Sequence, residues 1–358
     1  MISQSGYIPI PIGSTSRSGY VSTLSSLFSR YLILFRMLAS TTISSSIASL
    51  NQNKKNLGLY FALSCFIFGG IGLILNVIIL TRQSLRSNPC SIYFLASTFA
   101  NLFVVFTSIP VRFLTAGFNI NATILSITIC RLQYYTFWLS RALSSWYIVL
   151  ASIDRYLISS TRTQFRQWSS VKVAYRTIAI VTIAISIAHI HVAIYFTINV
   201  TRDQDSNITS LTCNGQKGNY RIFAAFFHLT CYSVIPPLIM FVFGLLALNN
   251  IQQHGKLVVP TAQRRATITL VSKEKRKTDR QLLMMLILQV VCIFLSTTPL
   301  SAEHLYSTFT ANFKKNAFKS AEDSLILTVV GNISFVAHCS SFYLFTLEMI
   351  KKGRTKSD

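Results

Sequence analysis

Acidic side chains are scarce in this sequence: 10 Asp and Glu stand against 33 Lys and Arg, a net charge of +23 over 358 residues. No paired-carboxylate, Ser-His-Asp or phosphate-loop constellation is present, so no catalytic chemistry is expected. Cysteine is sparse too. The 7 cysteines, at 65, 90, 130, 213, 231, 292 and 339, form no CxxC and no Cys/His cluster with metal spacing, which argues against a disulfide-rich scaffold, a metal site or any cofactor. No nucleic-acid-binding motif accompanies the basic residues, and their charge is assigned to anionic membrane lipids rather than to nucleic acid. Charged residues make up only 12% of the chain against 51% hydrophobic ones, which is not the balance of a soluble globular domain.

What the chain does have is long apolar runs. A bilayer core about 30 Å thick needs roughly 20 apolar helical residues. Seven runs reach that length, over about 57–81, 91–116, 127–153, 171–197, 220–249, 281–308 and 324–348, the fourth and sixth being the weakest. The expected fold is an all-α membrane protein, a seven-transmembrane helix bundle over 57–349, between a polar extracellular tail (1–56) and a short cytoplasmic tail (350–358). In the first tail "YLILF", flanked by Arg30 and Arg36, is too short to span and too far from the start for a signal peptide; Met37 offers an alternative start.

Orientation follows from the basic residues, which concentrate on the cytoplasmic side. More than half of the 33 Lys and Arg fall on one set of alternate segments, including Arg82, Arg86, Arg162, Arg166, Lys273, Lys277, Lys351 and Lys352. This puts the N-terminus outside, in the plasma membrane. Sequons at Asn121, Asn199 and Asn207 then lie outside, as glycosylation requires, whereas the one at Asn332 falls within the seventh run.

From Cys130 to Arg155 is 25 residues, about 37 Å of helix, enough to cross the membrane. Cys130 is therefore outside and Arg155 inside. Cys213 is the one other cysteine clearly placed outside, so a Cys130–Cys213 bridge would pin the 4–5 loop over the third span; two free thiols are the alternative.

The tripeptide "DRY" (Asp154, Arg155, Tyr156), at this distance after an outer cysteine and within seven spans, resembles the rhodopsin-like (class A) G protein-coupled receptors. The likeness covers about 57–350. Further matches are Asn76 in "GLILNVIIL", Asn101 in "FANLF", Pro236 and Pro237 in the fifth span and Pro299 in the sixth. The resemblance implies a receptor that passes an extracellular signal to a heterotrimeric G protein, with Arg155 restrained by Asp154 and by an acid at the foot of the sixth span. Asp279, 20 residues before Pro299, is about 30 Å down the same helix and fits that role.

The family pattern breaks in several places. Asn101 stands where the family has aspartate, which puts sodium modulation in doubt. The fourth span lacks the usual tryptophan. Ser296 and Thr297 replace Cys-Trp before Pro299; Ser341 and Phe342 replace Asn-Pro, and Phe345 replaces a tyrosine. Without that proline the end of the seventh helix is expected to lose its usual bend.

No lysine precedes Lys351 in the last span, which excludes a retinal Schiff base there, and Phe137 stands where amine receptors carry an aspartate. Arg141 is the odd residue, 14 positions or about four turns before Arg155 and well inside the membrane. A cation there needs a partner. One reading makes Arg141 the contact for an anionic ligand group, with Phe137, Glu303, His304 and His338 nearby; the other bonds it through water to neighbouring carbonyls and hydroxyls. The charged outer loops "RDQDSN", "GQKGNYR" and "NFKKNAFK" favour a peptide, and a small anionic molecule fits Arg141 equally. The basic 5–6 loop is expected to meet lipid and the G protein. The alternatives are a seven-helix transporter or channel, which broken helices or internal repeats would mark, and a receptor relative that no longer signals.

Overall fold

A computed structural model describes residues 47–202, 209–257, 265–311, 313 and 317–343; side chains at 252–257 and 265–285 lie outside that description. Among the described residues seven long helices form the bundle: α1 (Ser49–Leu80), α2 (Pro89–Phe118), α3 (Ile127–Ser159), α4 (Val171–Tyr195), α5 (Asn219–Ile251), α6 (Arg265–Phe309) and α7 (Phe318–Cys339). Helices are the form that satisfies every backbone N–H and C=O internally, which hydrocarbon demands.

Six of the seven are apolar and long enough to span a membrane by composition alone; α3 is not, since it carries Arg131, Arg141, Asp154, Arg155 and a row of serines. Its surroundings explain this. It packs against α2, α4, α5 and α6, so its polar groups meet protein instead of lipid. The expectation that the fourth run is among the weakest is corrected, because α4 is among the most apolar. It sits at the periphery and exposes Ile180, Ile183, Ile187, Ile190 and Ile194, a three-to-four-residue spacing that gives one lipid-facing stripe.

The helices are capped and bent at identifiable residues. Asn88 caps α2 through the backbone N–H of Cys90, with Pro89 at the first helical position, where its missing N–H costs nothing. Two π-helical turns, Cys65–Gly69 and Leu229–Val234, interrupt α1 and α5. The second directly precedes Pro236 and Pro237; the ring of Pro237 would press on the carbonyl of Ser233, and the widened turn removes that conflict. Pro299 lies within α6, and Pro110 within α2.

Two boundaries differ from expectation. The helix containing the apolar span α1 begins two residues before it, at Ile47, and α4 ends at Tyr195, where a β-hairpin begins: β1 (Phe196–Arg202) pairs antiparallel with β2 (Thr209–Gly215), Cys213 opposite Ile198. The Thr-rich segments "FTINVTR" and "TSLTCNG", the first also with Phe, Ile and Val, favour strand. A Cys130–Cys213 disulfide fixes this hairpin to the first turn of α3. At the far end of the bundle the seventh helix stops at Cys339, bends at Ser340 and adds one turn over 341–343, so a break persists without proline. The π-turn of α1 shapes it: the Phe68 carbonyl accepts from the Tyr343 hydroxyl at 2.8 Å and the Cys65 carbonyl from the Cys339 thiol at 3.7 Å.

Candidate functional site

Asp154 and Arg155 end α3 at the face opposite the hairpin. Their side chains are 5% and 3% exposed, and Arg155 Nη2 donates to Asp154 Oδ2 at 2.9 Å. The same nitrogen donates to Asn88 Oδ1 at 2.9 Å, while the Ser169 hydroxyl donates to Asp154 Oδ1 at 2.6 Å. The pair is thus tied to the start of α2 and to the loop before α4. Charge-assisted bonds to both carboxylate oxygens are what make burying such a pair tolerable. Tyr156 packs edge-on against Phe243 of α5, ring centroids 5.4 Å apart, and Asn250 of α5 donates to Ser159 at 3.3 Å. Asp279 lies on α6, and its side chain is outside the described residues.

Midway along the bundle a polar chain crosses α2, α3 and α7. Asn101 Oδ1 accepts from the Ser144 hydroxyl at 2.6 Å and lies 2.8 Å from His338 Nδ1. Ser97 joins through Ser144, and Asn76 of α1 donates to Thr98 at 2.9 Å. All are buried. An amide oxygen in this position takes donors and carries no charge, so the family's carboxylate is replaced by a neutral junction. Beside it Asn76, Ser97, Thr98, Gln289 and Ser341 line a small cavity, where Asn76 Oδ1 and Ser341 Oγ have no hydrogen-bond partner among the described residues. Ser296 and Thr297 instead bond to carbonyls of their own helix, at Cys292 and Ile293.

One turn nearer the hairpin on α3, Arg141 is 2% exposed. Its guanidinium carbon lies 5.1 Å from the Phe137 ring centroid and 5.7 Å from that of Phe335 on α7. Phe137 and Phe335 are themselves 5.9 Å apart. His304 of α6 stands 5.9 Å from the Trp138 ring and 5.1 Å from that of His228; Glu303 is buried and engaged. Of the expected pocket residues, Phe137 and Arg141 meet around Phe335, His338 bonds to Asn101 of the polar junction, and His304 stands among the aromatic rings of α3 and α5.

Sequence reading missed several members. Arg112 lies on α2, Nη1 donating to Asn332 Oδ1 at 3.3 Å, and Arg131 sits on α3 and donates to the Phe196 carbonyl. Asn332 is buried in that contact. Tyr232 donates to the Trp138 carbonyl and meets His189 at 2.9 Å, and His228 meets Ser301 at 2.7 Å. The Asn-Pro step at 88–89 was a readable helix start; nothing in the sequence named Asn88 as a partner of Arg155. Of the sequons, Asn121 Oδ1 accepts from Thr123, Asn199 lies on β1, and Asn207 is outside the described residues, as is Phe345.

No curated protein matches the chain. The family described as 7 transmembrane receptor (rhodopsin family) matches residues 72–343, which takes in every helix from the middle of α1 to the turn after α7. That span is well over half of the sequence and contains the Asp154–Arg155 pair, the polar junction and the disulfide. The protein is a member of the rhodopsin family of seven-transmembrane receptors, a multi-pass membrane protein.

Proposed function

We propose that this receptor couples an extracellular ligand to nucleotide exchange on a heterotrimeric G protein, from the plasma membrane, with its N-terminus outside. The observation that carries the reading is the Asp154–Arg155 pair, buried and fixed by Asn88 and Ser169. Such a pair is a restraint whose release costs about 3–5 kcal/mol if one partner is removed, enough to bias a two-state bundle. Asp279 is the proposed second restraint on Arg155, from α6. The basic positive-inside segments and the sequons at Asn121, Asn199 and Asn207 support the orientation. Ligand binding is assigned to the hairpin half of the bundle, with Arg141, Phe137, Glu303, His304 and His338 as pocket residues and a peptide or small anionic molecule as ligand.

Ligand-free nucleotide exchange on a panel of G proteins tests the reading in membranes carrying wild type, Asp154→Asn and Asp279→Asn at matched surface expression. Raised exchange in either variant, abolished by adding Arg155→Ala, is the expected result. Absence of exchange in every variant would assign the chain to receptors that no longer signal. Loss of a glycan-dependent mobility shift in Asn199→Gln checks the orientation separately.

A further inference from the structure

Two arginines share one aromatic ring in the hairpin half of the bundle. The guanidinium carbon of Arg112 lies 4.9 Å from the Phe335 centroid and that of Arg141 lies 5.7 Å from it. Arg141 is 2% exposed, and its Nε and Nη2 have no hydrogen-bond partner among the described residues. Asn332, which accepts from Arg112, is 5% exposed and leaves its own Nδ2 buried and unpartnered. The layer thus holds two like charges and three donor atoms without acceptors.

Ring faces offset only part of the cost of taking a guanidinium out of water, since they accept charge but replace few of its hydrogen bonds. Leaving buried donors unpaired is destabilising, and proteins retain such an arrangement where something else completes it. A carboxylate has the geometry to do so. Its two coplanar oxygens match the guanidinium fork, and the amide of Asn332 adds a neutral donor. Phe137 and Phe335 flank Arg141, so the group attached to that carboxylate meets aromatic surface.

We propose that Arg112, Arg141 and Asn332, around Phe335, receive the carboxylate of an organic acid whose apolar body lies against Phe137. The proposal rests on the receptor reading and names its ligand class. The carboxylate belongs either to a small aryl or alkyl acid or to the C-terminus of a peptide, which present the same chemistry. Arg112 is the second anchor, contributed by a helix that sequence reading left out of the pocket.

Thermal unfolding of the purified full-length receptor in lipid nanodiscs tests this without knowledge of the natural ligand. The probes are 3-phenylpropionate against its neutral amide, and N-acetyl-Gly-Phe against its C-terminal amide, at equal ionic strength. The expected result is a concentration-dependent rise in Tm with at least one acid and not with its amide. In Arg141→Met the half-effect concentration rises about tenfold or more, as loss of a charge-assisted pair requires, and Arg112→Met shifts it in the same direction. Arg141→Lys keeps a weakened, still acid-specific response and guards against loss of folding in the Met variant. A larger shift for 3-phenylpropionate assigns a small acid, and a larger one for the dipeptide assigns a peptide C-terminus. No acid-specific shift, or the same shift in Arg141→Met, overturns the proposal. Because the exchange assay on Asp154→Asn needs no ligand, failure here leaves the coupling reading standing, and failure there leaves this site standing.

Discussion

Arg155 Nη2 donates to Asn88 Oδ1 at 2.9 Å, and that same oxygen caps the first turn of α2 through the N–H of Cys90. One amide therefore joins a helix start to the arginine at the end of α3. Removing it acts on both.

In Asn88→Ala the cap is lost, at a cost of about 1 kcal/mol, and Arg155 keeps fewer restraints. Basal nucleotide exchange is expected to rise above wild type. Asn88→Asp keeps the cap and adds an opposite charge beside Arg155, so exchange falls below wild type. Equal exchange in all three would separate Asn88 from the switch.

Asn101→Leu removes the acceptor of both Ser144 and His338 in the buried junction. His338 Nδ1 is then left unpaired while Ser144 keeps Ser97, and a loss of about 1–3 kcal/mol is expected, read as a lower Tm in nanodiscs. His338→Leu removes one partner only and should cost less. The difference between the two variants is the measurement.

Gly69 packs on α7: a Cβ there would stand 2.6 Å from Cys339 Sγ and 3.0 Å from its Cβ. Alanine has the better helix propensity, yet Gly69→Ala should lower stability by about 1–3 kcal/mol, because overpacking outweighs propensity. Pairing Gly69→Ala with Cys339→Gly should recover most of the loss. A Tm at or above wild type for Gly69→Ala alone would contradict the close approach.

Cys130→Ser or Cys213→Ser opens a closure of 83 residues, which in the loop-entropy model contributes about 4.5 kcal/mol. Surface expression should fall sharply. The two single variants and the double variant should fall alike, since each removes the same bond.

The spans were legible because hydrocarbon forces each crossing to be a helix of a set length, so composition alone marks it. The exceptions are instructive. α3 was counted among the apolar runs from its apolar stretch over 127–153, although over its full length it is too polar to pass on composition. The hairpin went unseen because a short β-branched segment following an apolar helix extends the same run, and Phe196 and Thr197 were read as its last residues. Arg112 fell inside the expected second run, but nothing in the sequence placed its side chain against Asn332 of α7.

By itself the sequence determined the class of fold, the seven crossings, the motif at Asp154–Arg155 and the membership of a receptor family, all properties of runs, spacings and local order. Tertiary structure alone decided which polar groups meet: Asn101 with His338, 237 positions apart, Arg155 with Asn88, and two arginines over Phe335. The physical reason lies in helix geometry. Periodicity fixes which residues share a face, but which neighbouring helix that face meets, and at what depth, depends on how all seven pack.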